Sequence, residues 1–398
     1  MTVQGPSRLR SLDGLRGVAA ATVLLHHSFL LIPSFSATYQ GGAAPAQGSL
    51  IWWLSYSPLK LLTAGGESVI VFFVLSGLVV ALPVLRRPMF DWLAYYPQRV
   101  LRLVLPIIGS VVLAAILILL VPQTPFQEPG TWLYNYSTPH LNFFQVLAAA
   151  NLFGDGTNFH INNPLWSLRW ELYFSLALPI FVLLAVALRR WWIAAVIFAV
   201  LLTLGGRLLG FEVLDFFPSF FLGALIAAKI DDFRGFADRV NTRRLRHLIW
   251  ASFTLAGSLM LIASWLTGPL PASLAKLTPA LYALTPLGAS MIVIACIGWG
   301  ALDRVLSMRV PQLAGKISFS LYLTHVPVLI FTSYLLQGQP LPIVIVAGDC
   351  LAIVVATGFF WLVEARCHVF SRSVGVWASA RIASYHAHGA VRGATSGN

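Results

Sequence analysis

Apolar runs of about 20 residues recur along this chain, separated by short polar segments that hold nearly all of its lysine and arginine. Each run matches the hydrocarbon thickness of a bilayer. Inside a bilayer, only a segment that satisfies its own backbone hydrogen bonds survives. Ten runs are readable, at 12–34, 67–85, 99–121, 165–188, 191–209, 214–230, 246–266, 280–302, 315–337 and 341–365. The expected fold is all-α: a polytopic membrane protein of about ten transmembrane helices. With 58% hydrophobic and 10% charged residues, an ordinary soluble domain is excluded.

The basic residues set the orientation. With the N-terminus inside, 22 of the 26 Lys and Arg fall in cytoplasmic segments or at cytoplasmic helix ends. The exceptions are Lys60, Arg169, Arg207 and Lys276. This bias predicts an N-in, C-in topology. It also accounts for the formal net charge of +12 without any nucleic acid as partner. The first run has no small-residue cleavage site at its end and reads as a retained helix. Residues 1–366 form one membrane domain, and 367–398 read as a short basic cytoplasmic tail without fixed structure. Cys296, Cys350 and Cys367 have neither metal-ligand nor disulfide spacing. No metal site is expected.

The first run is unusual in carrying Asp13, Arg16, His26 and His27. At about 100° per residue, the eleven steps from Arg16 to His27 end about 20° from whole turns, so the two side chains share a face, about 16 Å apart along the axis. Asp13 lies within about 40° of His27, whereas His26 points about 80° from Arg16. Charged and titratable groups on one stripe of a membrane helix are costly and mark function.

Four further patterns carry chemistry. Gly65-Gly-Glu67 opens the second run at its outer edge, where Glu67 suits either the interface or a site. Ser76-Gly77, further along, suits close helix packing. Arg99 and Arg102, at i and i+3, share a face at the inner edge of the third run; loop charge bias and phosphate binding both explain them. The fourth run opens Asn163-Pro-Leu-Trp166-Ser-Leu-Arg-Trp-Glu171. A membrane carboxylate seeks a partner, and counting inward from the outer surface places Glu171 at a depth comparable to His27. In the ninth run Ser318, Tyr322 and His325 form a polar stripe. The outer segments 35–66 and 122–164 are long, and the second is rich in Asn, Pro and aromatic residues. Such a segment suits a sugar-like ligand or an interfacial loop.

In this order the patterns resemble the acyltransferase-3 family, integral-membrane acyltransferases that include bacterial O-antigen and peptidoglycan O-acetylases. The matching stretches are Leu12-Asp-Gly-Leu-Arg-Gly17 with His27, Phe72-Phe-Val-Leu-Ser-Gly77, Arg99-x-x-Arg102, Trp166-Ser-Leu-x-x-Glu171 with Phe174 and Pro179, and Ile317-Ser-Phe-Ser-Leu-Tyr-Leu-x-His-x-Pro327. The resemblance implies a multi-pass protein of a cell membrane, such as a bacterial inner membrane. It implies cytosolic acyl-CoA, usually acetyl-CoA, as co-substrate with no tightly bound cofactor, and a carbohydrate or glycolipid-like hydroxyl acceptor. His27 and Glu171 would be catalytic, with Glu171 orienting the imidazole. Arg16, Asp13, Arg99, Arg102, Glu67, Ser76, Trp166, Tyr322 and His325 would bind substrate. Ser175 and Phe319 stand where the family commonly has Tyr, and Arg102 is one residue farther than usual from Pro106; these departures read as matters of packing. The soluble C-terminal domain of many members is not expected. A secondary transporter or flippase also places His, Glu and Arg inside a membrane; consumption of acyl-CoA separates the two.

Overall fold

The computed structural model describes residues 10–124, 126–127, 130–154, 159–269 and 271–395. Among the described residues every regular element is helical and no strand occurs. The main helices are α1 (Arg10–Phe29), α2 (Gly65–Arg86), α3 (Trp92–Leu120), α4 (Leu165–Leu176), α5 (Leu178–Ala187), α6 (Trp192–Leu209), α7 (Glu212–Ala228), α8 (Ile230–Asn241), α9 (Arg246–Leu261), α10 (Thr285–Gly298), α11 (Arg309–Leu335), α12 (Leu341–Phe359) and α13 (Ala365–Thr395).

Among the described residues six helical stretches are long and apolar enough to cross a membrane, or eight if two sharply bent pairs each count as a span. Ten were expected. The difference falls on α1, whose apolar character is diluted by Asp13, Arg16 and two histidines, and on α9, which has only 16 residues. The polarity of α1 is accommodated by protein: it packs between α2 and α11 at the centre of the bundle. Small residues allow that approach. A Cβ on Gly17 would strike the backbone of α11 at Pro311 and Gly315, and one on Gly315 would strike the Asp13 carbonyl. The Ser76-Gly77 expectation of close packing holds at Gly77, which lies against the Phe220 carbonyl and Gly223 of α7.

The run at 165–188 is not one straight helix. It breaks at Ala177 into α4 and α5, bent by 67°. Pro179 has no N–H to offer the Ser175 carbonyl four residues back. Tyr95 on α3 takes over that role, its hydroxyl donating to Ser175 O at 3.1 Å, and the Tyr96 hydroxyl reaches Leu176 O at 3.4 Å. The entry to α4 also differs from expectation. Asn162 is fully buried and donates to Leu323 O at 2.8 Å, halfway along α11. The preceding segment therefore dips into the bundle, and α4 begins at mid-depth.

A second bent pair, α7 and α8, turns by 70°. Between α12 and α13 lies a single π-helical turn, Phe360–Glu364. The segment after 367, expected to lack fixed structure, continues as α13 along α3. There the Ser379 hydroxyl donates to Asp91 at 2.6 Å.

Candidate functional site

Both ends of the α1 stripe meet α11, and they differ in kind. At the Arg16 end two cavities adjoin. The wider, of 870 Å³, is a vestibule with Arg10, Asp13, Arg16, Arg102, Lys316 and Arg372 in its wall. The narrower, of 110 Å³, runs inward between apolar side chains such as Val69, Phe72 and Leu103, and is also lined by Ser76, Arg99 and Glu171. Ser318 and Tyr322, two members of the predicted α11 stripe, line the narrow chamber, and Ser318 lines the vestibule as well.

The three arginines are not equivalent. Arg99 is committed: Nη2 contacts Glu171 Oε1 at 2.7 Å and Ser76 Oγ at 3.3 Å, while Nε donates to Ser175 Oγ at 3.1 Å. The Ser76 hydroxyl donates to the same Glu171 oxygen at 3.1 Å. Ser175, where the family commonly has Tyr, thus belongs to this clamp and is more than packing. Phe319, the other departure from the family pattern, lines both cavities. Arg16 and Arg102 make no hydrogen bond or ion pair among the described residues, and Arg16 Nε is buried without a partner. Two guanidinium groups that face a cavity without a hydrogen-bond or ion-pair partner suit an anion, because their planar donors match phosphate or carboxylate oxygens.

Glu171 therefore does not reach His27. Because α4 starts at mid-depth, the six residues from Leu165 to Glu171 carry the carboxylate about 9 Å further toward the arginine end. The partner of His27 is His325. His27 Nδ1 lies 2.9 Å from Val23 O and 3.2 Å from His325 Nε2, and His325 Nδ1 lies 2.8 Å from Leu321 O. A backbone carbonyl only accepts, so each Nδ1 carries the proton. His325 Nε2 is then an acceptor for the shared His27 Nδ1–H. This leaves the Nε2 lone pair of His27 without a partner among the described residues. That tautomer is the one a general base requires.

Tyr322 stands between the two ends. Its hydroxyl pairs with Ser167 at 2.6 Å, and its ring lies 6.0 Å from both Phe72 and His325. On the far side, His27 is covered by Trp132 from the second long loop, ring centroids 5.6 Å apart.

Four expected site residues line neither cavity: His27 and His325, just described, Trp166 and Glu67. Trp166 packs on Phe216 at 5.3 Å. Glu67 is buried and accepts from Trp265 Nε1 at 2.6 Å. His26, on the other face of α1, lies 2.9 Å from Thr63 O and belongs to the same cage as Glu67. The centre of that cage, which sequence reasoning passed over, is Lys60. It is 0% exposed, donates to Tyr39 Oη and to Thr63 O, and sits 4.0 Å from the Trp265 ring. Burial pushes Lys60 down to about 8, against the opposing pull of the Glu67 carboxylate. Glu364 was also missed, although it was visible as an acid at the end of the tenth apolar run.

An all-helical multi-pass bundle with unpaired guanidinium groups at one end and a base-ready imidazole at the other suits a membrane group-transfer enzyme. A family model described as an acyltransferase domain matches residues 9–364. The chain belongs to the acyltransferase-3 family and is a membrane acyltransferase. Searches of curated proteins and of solved structures gave no match.

Proposed function

We propose that the protein moves an acyl group, acetyl in the first instance, from cytosolic acyl-CoA to a hydroxyl of a carbohydrate or related acceptor presented at the opposite membrane face. The observation that carries this reading is the pair of unpartnered guanidinium groups, Arg16 and Arg102, at a cavity on the same face of α1 as His27. In this scheme the donor phosphates rest on Arg16 and Arg102 in the vestibule, on the cytosolic side given by the positive-inside bias. The thioester extends through the narrow chamber toward Tyr322. His27 Nε2 removes the proton from the acceptor hydroxyl while its oxygen attacks the thioester carbonyl. The C–S bond breaks, the thiolate leaves and the imidazolium returns the proton to it, giving the acyl ester and free CoA. A transient acyl-histidine on the same nitrogen would carry the acyl group across in two steps.

His325 replaces Glu171 as the orienting partner of His27. Arg99, held by Glu171, Ser76 and Ser175, fixes the chamber wall and is not counted among the phosphate ligands. Tyr322 must move, or the acyl group must pass beside it, for donor and base to meet. The test is direct. Purified protein in nanodiscs should release CoA thiol from acetyl-CoA in the presence of cell-envelope extract, and the acylated product should be detected by mass spectrometry. Absence of thiol release across a panel of short acyl-CoA donors would overturn the reading.

A further inference from the structure

Five residues line both cavities and so form the neck between them: Arg16, Arg102, Ser318, Phe319 and Glu364. Glu364 is out of keeping with an anion site. A carboxylate beside two unpaired guanidinium groups subtracts positive charge where a phosphate would sit. It does not compensate those groups by contact, since neither Arg16 nor Arg102 forms an ion pair with it. Yet the fold goes to some length to place it. The helix between α12 and α13 opens into one π turn ending at Glu364, a local distortion found at functional sites more often than elsewhere. Its residue is 8% exposed, and one oxygen, Oε2, is pinned by the Ser320 hydroxyl at 2.5 Å. No hydrogen bond among the described residues engages Oε1.

A fixed, desolvated acceptor at a neck, with its second oxygen unused, calls for a ligand that brings a hydrogen-bond donor to that level. A phosphate cannot do so; an amide N–H can. Resting on the donor reading above, we propose that Glu364 is a specificity residue for the pantetheine arm of CoA. Its Oε1 accepts from an amide N–H of the arm, and its charge keeps the phosphates in the vestibule with the basic residues. The neck thereby separates the two halves of the donor. Phosphate is read at its vestibule side by Arg16, Arg102 and the other basic groups of the vestibule wall, and the amide arm at its chamber side by the Glu364 carboxylate. Only a ligand carrying both gains both sets of contacts.

The test compares two ligands by titration calorimetry with full-length protein in nanodiscs: CoA, and adenosine 3′,5′-bisphosphate, which has phosphates but no arm. Glu364→Ala should raise the Kd for CoA about tenfold, the loss of one charge-assisted hydrogen bond. The same change should leave the Kd for the bisphosphate unchanged or lower it, because a nearby negative charge is gone. Glu364→Gln, which keeps one acceptor oxygen for the arm while its amide N–H donates to the Ser320 hydroxyl, should hold CoA affinity within about threefold and serves as the check on folding, with unfolding temperature measured for all forms. Equal weakening of both ligands by Glu364→Ala would mean a structural role and overturn the inference, as would unchanged CoA affinity. If the unaltered protein binds the bisphosphate but not CoA, or binds neither, the donor reading itself falls and this inference with it.

Discussion

The two ends of the α1 stripe are built on opposite plans. At the arginine end two adjoining cavities, with volumes of 870 and 110 Å³, are bordered by two guanidinium groups that the protein leaves unpaired. At the histidine end the side chains are packed together: His27 against His325 and Trp132, His26 in the cage with Lys60, Tyr39 and Trp265. One end is prepared to receive charge from outside, whereas the other holds a neutral ring in one tautomer. The contrast shows how a membrane enzyme can divide its work. In the proposed scheme charge recognition goes where phosphate supplies the missing counter-ions, and proton transfer goes where the surroundings fix the direction of one lone pair.

Several substitutions can break that contrast. The largest effect on folding should come from Arg99→Leu, which strands the mostly buried Glu171 carboxylate and should cost about 3–5 kcal/mol of stability. Unfolding temperature in detergent reads this, and the paired change Arg99→Leu with Glu171→Leu should recover much of the loss. Arg16→Gln or Arg102→Gln should act in the other direction: about tenfold or more weaker CoA binding, roughly 1.5–3 kcal/mol, with stability unchanged or raised because no hydrogen bond or ion pair among the described residues is lost. A comparable fall in unfolding temperature for both sets would erase the distinction between paired and receptive arginines. Gly223→Ala forces a methyl group into the Val74 carbonyl of α2 and should cost about 1–3 kcal/mol without altering CoA affinity, by the same two measurements. Tyr322→Phe removes the hydroxyl's hydrogen bonds to Ser167 and to the Pro164 carbonyl, and a loss of about 1–2 kcal/mol in stability is expected.

The last expected effect concerns pH and the Lys60 cage. Below pH 8 the side chain is charged whether the cage is closed or open. Between about 8 and the ordinary lysine value near 10.4, only the open form keeps the proton. Closure should therefore become more favourable as pH rises through that window. Protection of residues 57–63 from hydrogen exchange, corrected for intrinsic rates, should be greater at pH 9.5 than at pH 7.5. A decrease would mean that the Lys60 cation, and not its desolvation, dominates the cage.

Much of this contrast was legible in the chain. Helical phase alone chose His27 over His26 as the partner in depth of Arg16, and it grouped Ser318, Tyr322 and His325 on one face of α11. What phase cannot supply is the level at which a helix begins. Glu171 was placed near His27 by counting inward from the membrane surface, but α4 starts at mid-depth because Asn162 is drawn in to Leu323. The count was sound and its origin was wrong. Pro179 was visible as a helix breaker, while the Tyr95 and Tyr96 hydroxyls that make its break tolerable come from another helix. Glu364 depended on a π turn, a register change of one residue that no periodicity announces. The run after 367 read as a loose tail because it is basic and rich in small residues; its small residues instead let α13 lie close along α3, as Gly375 does against the Ala94 carbonyl.

The central claim is that charge is received at one end of α1 while chemistry occurs at the other. The decisive measurement uses acetyl-CoA labelled in the acetyl group, membranes containing the protein, and the single change His27→Gln. The account predicts that CoA affinity stays within about twofold while transfer of label to the envelope fraction falls at least about 100-fold, the scale of losing a general base or nucleophile. Transfer by His27→Gln at the unaltered rate would contradict it.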